Sequence, residues 1–360
     1  MDTLVLEEAP FIDDLLPFTA TRHVIDIRIG ILTLREKWQR LLTPHGITVT
    51  TDDGDANRNG TVEFPGNVLP DRALVDSIFK DPEKGGGTDL LRNEWKGEGA
   101  RRIRYPWDIF LHNEEALIED FHLLTAGRKS QSIPASVSAI TPEKIFIEEG
   151  ARLQHCTLNA STGPIYIGRD AEIMEGSLIR GPFALCEGAI VKMGAKIYGA
   201  TTVGPYSTVG GEIKNSVIFG YSNKGHDGYL GDSVIGEWCN LGAGTSNSNL
   251  KNNAGPVKVW HPASKKYIGA GLKCGLLMGD YSRAAINTSF NTGTLVGVCC
   301  NIFGQGLSPG YIPDFSWGQE GTTRYQWDKA LRDIRNWKKL KKQALTETEI
   351  LALKHIFEQS

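Results

Sequence analysis

Residues 167–209 read IGRDAEIMEGSLIRGPFALCEGAIVKMGAKIYGATTVGPYSTV. Counting in sixes from Ile167 reaches Ile173, Ile179, Leu185, Val191, Ile197, Val203 and Val209 without a miss. Aliphatic residues are about a quarter of a typical chain, so such a run arises by chance on the order of once in 10⁵ trials. Four positions after an anchor the side chain is usually small: Ala171, Ser177, Ala189, Ala195, Thr201 and Ser207, with Phe183 and Ile213 breaking the rule. A strand has period 2 and a helix 3.6, so neither explains a sustained period of six. The period predicts a coil of triangular section. Each unit supplies one short strand and one corner, and three units complete a turn. Anchors point to the axis, small residues fit near the bends, and stacked turns pair as parallel strands around an aliphatic column. This reasoning leaves the hand open, since parallel crossovers are usually right-handed.

Working outward, Ile147 and Leu153 start an earlier pair, separated from the run by an insertion around Ser161. Leu230, Ile235 and Leu241 resume the pattern, each before a glycine. Residues 247–271 leave the coil. The later turns, LLMGDYS (276–282) and TLVGVCCNIFG (294–304), read as looser. The tail reads as two helices. Trp327 to Leu340 is amphipathic, and Thr346 with Glu349 forms a capping box ahead of Ile350, Leu351, Leu353 and Ile356. These helices are expected to cap the column or pack on a neighbouring subunit. Toward the N-terminus, Leu4 to Leu6 reads as a short strand. LTLREKWQRLL (32–42) is helix-like, TDDGDANRNG (51–60) and KGGGT (84–88) read as loops, and WDIFLHNEEALIEDFHLL (107–124) has helical apolar spacing.

The chain has 360 residues and a net charge of -3, which argues against a general nucleic-acid binder. Its six cysteines form no CxxC pair, and no secretory leader is evident, so they read as reduced packing thiols. No apolar run approaches the ~20 residues a membrane span needs. A soluble cytoplasmic protein is the expectation.

The coil is interrupted at 220–232 by GYSNKGHDGYLGD. His226 sits there in a glycine-flanked loop, where a neutral imidazole could take a proton from an amine or hydroxyl nucleophile. The longer stretch GHDGYLGDSVIGEWCNLGAGT (225–245) resembles, without a gap, the acetyltransferase domain of the bifunctional N-acetylglucosamine-1-phosphate uridyltransferase/glucosamine-1-phosphate acetyltransferase family. The resemblance implies a left-handed coil, acetyl-CoA as cosubstrate, a sugar-phosphate acceptor and a homotrimer with sites between adjacent columns. By position, His226 would be the general base. Tyr229, Asn240 and Asn249 would contact the sugar or orient the reacting groups. Lys214 would hold the sugar phosphate, and Ala243 would offer a backbone N–H to the thioester carbonyl. The family's phosphate-binding arginine falls on Lys196, which keeps the charge but loses the bidentate fork. In the trimer, the 247–271 excursion would reach across to a neighbour, with Lys251 and Lys258 as candidate phosphate or CoA contacts.

The N-terminal half carries a second resemblance. LLPFTATRHVIDIRIGILTLREKW (15–38), NVLPDRALVDSI (67–78) and YPWDIFLHNEEALIEDFHLLTAGRKSQ (105–131) look like two-domain sugar nucleotidyltransferase-like proteins that precede a β-helix. Such enzymes cradle nucleotide phosphates with a glycine-rich loop. That loop is missing here; only Pro17, Thr19 and Arg22 match its later part. Arg22 is the candidate nucleotide contact, with Arg28 and Lys37 as further basic candidates, and Mg²⁺ would be called for only if nucleotides are transferred. No metal-ligand set stands out.

The expected fold is therefore an α/β N-terminal domain of reduced nucleotidyltransferase type (1–105), a linker helix (106–130), a left-handed parallel β-helix of hexapeptide repeats (131–310) and a C-terminal helical tail (311–360). Three functions stay open. They are acyl transfer to a hexosamine 1-phosphate, nucleotidyl transfer by the N-terminal domain, and a non-catalytic sugar-nucleotide scaffold, since hexapeptide coils also occur without catalysis.

Overall fold

The computed structural model describes residues 3–51, 61–79 and 101–360. Apart from Thr51, the loops read at 51–60 and 84–88 lie outside the described residues. The C-terminal part is a left-handed parallel β-helix of about 10 turns. Its three faces are sheets of parallel strands in register.

The first face stacks Ile147, Ile167, Leu185, Val203, Ile218, Ile235, Met278, Val296 and Ile312 inward. The second stacks Leu153, Ile173, Val191, Val209 and Lys224, then Leu241, Ala284 and Ile302. The third stacks Ala139, Leu158, Ile179, Ile197, Ile213 and Leu230, then Asn247 and Phe290. All eight anchors from Ile167 to Val209 are buried in one core, in repeating face order. Ile213 broke the small-residue rule because the turn is shortened there, which makes Ile213 itself the third-face anchor. The later turns are not looser: Met278, Ala284, Phe290, Val296 and Ile302 keep the period of six.

The N-terminal region is a small α/β unit. Strand Thr3–Glu7 lies between Thr48–Thr51 and Thr61–Pro65, all parallel. Helix Leu34–Leu42 starts after a capping box formed by Thr33 and Glu36, two residues later than the sequence pattern suggested. This unit is packed along the first face. Phe18, Leu15 and Trp38 share a core with the outward Val217, Phe219, Val234, Leu277 and Leu295. The expected linker helix is two helices, Asp108–Leu111 and Asn113–Thr125, and it too lies on the column. Asn113 accepts from the Gly30 N–H (2.7 Å) and donates to the Ala200 carbonyl (3.0 Å).

Both appendages pack along their own column, so the C-terminal helices do not cap its end. The excursion does not extend away from its own chain. It folds into a hairpin, Lys258–His261 with Lys266–Gly269, whose Val257 and Val259 join the core shared with the N-terminal unit. Val and Ile alternate inward along it, so burial against the nearest apolar face outweighs extension. The C-terminal helices Trp327–Leu340 and Glu347–Gln359 flank a corner of their own column. There Ala330, Leu331, Ile334, Leu353 and Ile356 cover Trp238, Tyr281 and Phe315. The Lys338 amine lies 4.7 Å over the Trp238 ring.

Asp120 is the polar pin of the N-terminal unit. Its carboxylate is 2% exposed and accepts from the N–H groups of Ile31 (2.7 Å) and Leu32 (3.0 Å) and from the Lys37 amine. Burial pulls Lys37 below its ordinary range, and Asp120 opposes the shift. Asp120→Ala leaves a buried ammonium and two orphaned N–H groups, so urea unfolding should report a loss of about 3–5 kcal/mol. A change below about 1 kcal/mol would show that the pair is not what holds this unit.

Candidate active site

The chain passes from the second to the third face at one corner in every turn. Between strands Asn223–Lys224 and Tyr229–Gly231 that corner is the loop carrying His226, which is exposed. The loop is clamped between turns. A Cβ on Gly211, one turn below and at φ +73°, would meet the His226 carbonyl oxygen at 2.8 Å. Gly228, at φ +125°, passes so close to the Thr245 carbonyl that a side chain has no room. One turn above, Gly244 N–H donates to the Asp227 carbonyl (2.9 Å), which sets the exposed Ala243 on the same corner as His226. Successive turns lie about 4.8 Å apart, the spacing of paired strands. His226 and Ala243 therefore stand one above the other at this corner.

The third face supplies the neighbouring wall. Lys196, Glu212 and Tyr229 are in-register partners, as are Tyr198, Lys214 and Gly231. Alternation along each strand turns all these residues outward, on one surface. Tyr198 donates to Glu212 (2.6 Å), and that bond together with burial pushes the phenol up to about 12. The Lys214 ammonium lies 6.0 Å from the Tyr198 ring centre. Beside Lys196 a groove of about 450 Å³ continues over Arg180, Leu178 and Ile140.

Asn249 donates to the Tyr229 hydroxyl (3.0 Å) and to Asp232. Asp232 is buried and also accepts from Asn215 (2.7 Å). Because Tyr229 oxygen accepts from Asn249, its own proton is free to donate to a ligand. Burial is the largest cause raising the Tyr229 phenol, Asp232 adds to it, and the Asn249 bond opposes it.

The structure thus brings His226, Ala243, Tyr229, Asn249, Lys214 and Lys196 to one corner and the face beside it. Asn240 lies on the second face, in register with Asn223, and flanks the same corner. Lys251 follows Asn249 closely. Lys258 is elsewhere: its carbonyl abuts Gly293, between the third and first faces. Arg22 lies at the remaining corner, buried, paired with Asp280 and 3.6 Å from Glu237. Arg28 is likewise engaged, with the Ile31 carbonyl and Glu36. Sequence reasoning missed Asp232, Asn215, Glu212 and Lys224. Among the described residues, no group of three or more His, Cys, Asp or Glu side chains converges as a metal site, and no helix is long and apolar enough to cross a membrane. All six cysteines are free and buried.

A hexapeptide β-helix with a histidine-bearing corner, fused to an α/β unit, is the class that fold and site define. Residues 4–86 and 69–129 match the sugar nucleotidyl transferase family. The bifunctional protein GlmU of Methanocaldococcus jannaschii is 39% identical over 89 residues, 25% of this chain and 21% of that protein. A bifunctional sugar-1-phosphate nucleotidylyltransferase/acetyltransferase of Sulfurisphaera tokodaii is 31% identical over 143 residues, 39% of this chain and 35% of that protein. GlmU of a Cyanothece species is 28% identical over 160 residues, again 39% and 35%. Among solved structures, Arabidopsis UDP-N-acetylglucosamine acyltransferase overlaps 56% of this chain and 76% of its own at 16% identity, with a TM-score of 0.22, too low to bear on function. These similarities fit the GlmU-like family. The chain spans between about a fifth and a third of the length of these curated relatives.

Asn249→Ala removes the donor that favours the Tyr229 phenolate. The Tyr229 titration, followed by NMR of ring-labelled tyrosine, should move upward in pH. A downward move would mean that Asn249 does not hold the phenol oxygen.

Proposed function

We propose that this chain transfers an acetyl group from acetyl-CoA to the amine of a hexosamine 1-phosphate at the His226 corner. The observation that carries the reading is that His226, Ala243 one coil above it and the outward Lys196, Lys214 and Tyr229 lie on one corner and the face beside it. Neutral His226 takes a proton from the sugar amine as its nitrogen attacks the thioester carbonyl carbon. The C–N bond forms, the C–S bond breaks, and the departing CoA thiolate takes up a proton. The Ala243 N–H steadies the carbonyl oxygen as it gains charge. Lys214 and Lys196 hold the phosphate, and Tyr229 donates to the sugar. Asn240 lines the second-face side, and Lys251 is a candidate CoA contact. Lys258, at a different corner of its own column, would serve only a site completed by a neighbouring chain, as in the homotrimer we infer.

Nucleotidyl transfer with Mg²⁺ by the N-terminal unit is the second reading, and the family match over residues 4–129 favours it. Against it stand the missing glycine-rich loop and the engagement of Arg22, Arg28 and Lys37 by protein partners. A non-catalytic scaffold is the third.

The test is thiol release from acetyl-CoA with glucosamine 1-phosphate. The wild-type protein should turn over, and a folded His226→Ala variant should lose roughly 10²- to 10⁴-fold. Undiminished turnover in the variant would remove His226 as the base. No turnover by wild type with any amino sugar phosphate would favour the other two readings.

A further inference from the structure

Lys224 stands where the column calls for an aliphatic side chain. It follows Val191 and Val209 in the inward ladder of the second face, below Leu241 and Ala284. Its side chain is 2% exposed. The amine donates to two backbone carbonyls, that of Gly210 one turn below (3.2 Å) and that of His226 two residues ahead. Burial pulls the ammonium down to about 8, opposed by the nearby Asp227 carboxylate.

A leucine or methionine would fill this position without the desolvation penalty of a buried amine. What the lysine supplies, and an aliphatic residue does not, is a donor long enough to leave the second-face strand and reach the carbonyl of His226 from inside the column. The loop touches the turns on either side through the Gly228 and Asp227 carbonyls, and Ser246 Oγ accepts from the Tyr229 N–H where the loop ends (3.0 Å), whereas Lys224 holds the His226 peptide itself. We propose that Lys224 is a positioning residue that fixes the His226 backbone and thereby aims the imidazole at the acyl-transfer corner. The proposal rests on His226 as the base. Lys224 itself is enclosed and touches no substrate.

Lys224→Met tests this with a side chain of similar length, and Lys224→Leu repeats it with the ladder's own residue type. The variants should fold with an unchanged or higher melting temperature. Acetyl transfer should lose roughly 10- to 100-fold in kcat with little change in KM. The His226 imidazole resonance in ¹³C–¹H NMR should shift or broaden while those of the other histidines stay. An unchanged His226 resonance and unchanged kcat in a folded variant would overturn the proposal. So would unfolding of both variants, which would make Lys224 a stability element. If the wild-type protein transfers no acetyl group, the proposed function fails, and the resonance comparison alone still decides whether Lys224 fixes His226.

Discussion

The structure depends on one constraint: each inward side chain must lie directly on the equivalent residue of the turn below. Parallel pairing in register enforces this, because each strand is bonded to its counterparts above and below. Small lateral shifts would turn outward residues inward. The stacking fixes the corners as well as the core. His226 meets Ala243, and Lys196 meets Glu212 and Tyr229, for the same reason that Val191 meets Val209.

The remaining elements divide the outside of the prism. The N-terminal unit, the Asn113–Thr125 helix and the hairpin cover the first face, where the outward Phe146, Ala184, Thr202, Val217, Val234, Leu277 and Leu295 are buried and Tyr166 is partly so. The C-terminal helices cover the corner bearing Trp238, Tyr281 and Phe315. The third face keeps Lys196, Arg180 and Leu178 exposed, and the corner beside it keeps His226 and Ala243 exposed. The surface left open is the one that carries the candidate chemistry. The N-terminal unit resembles a nucleotidyltransferase in sequence, yet its Lys37, Arg22 and Arg28 are engaged by Asp120, Asp280 and the Ile31 carbonyl. Its structural work is to sheathe the column.

The column was legible because it is built from one repeated step, visible in the anchors from Ile167 to Val209. The step continues through Ile218, Lys224 and Leu230, but a lysine at an anchor position hides it from a search for aliphatic residues. The later hexads from Met278 to Ile302 were masked in the same way by Ala284, which is small. His226, Tyr229 and Asn249 were legible through the motif they share with a known family. Asp232 and Asn215 were not, because the shortened turns that align them are visible only after the register is known. The packing of the hairpin was not legible because a sequence does not say which apolar surface lies within its reach, nor were the ion pairs of Arg22, because Glu237 and Asp280 are more than two hundred residues away.

The most direct measurement is a structure of this protein with CoA and glucosamine 1-phosphate bound. The CoA sulfur should lie at the corner shared by His226 and Ala243, with the sugar phosphate against Lys214 and Lys196. CoA bound at another corner, or a sugar amine out of reach of His226, would contradict the assignment of this corner as the acyl-transfer centre.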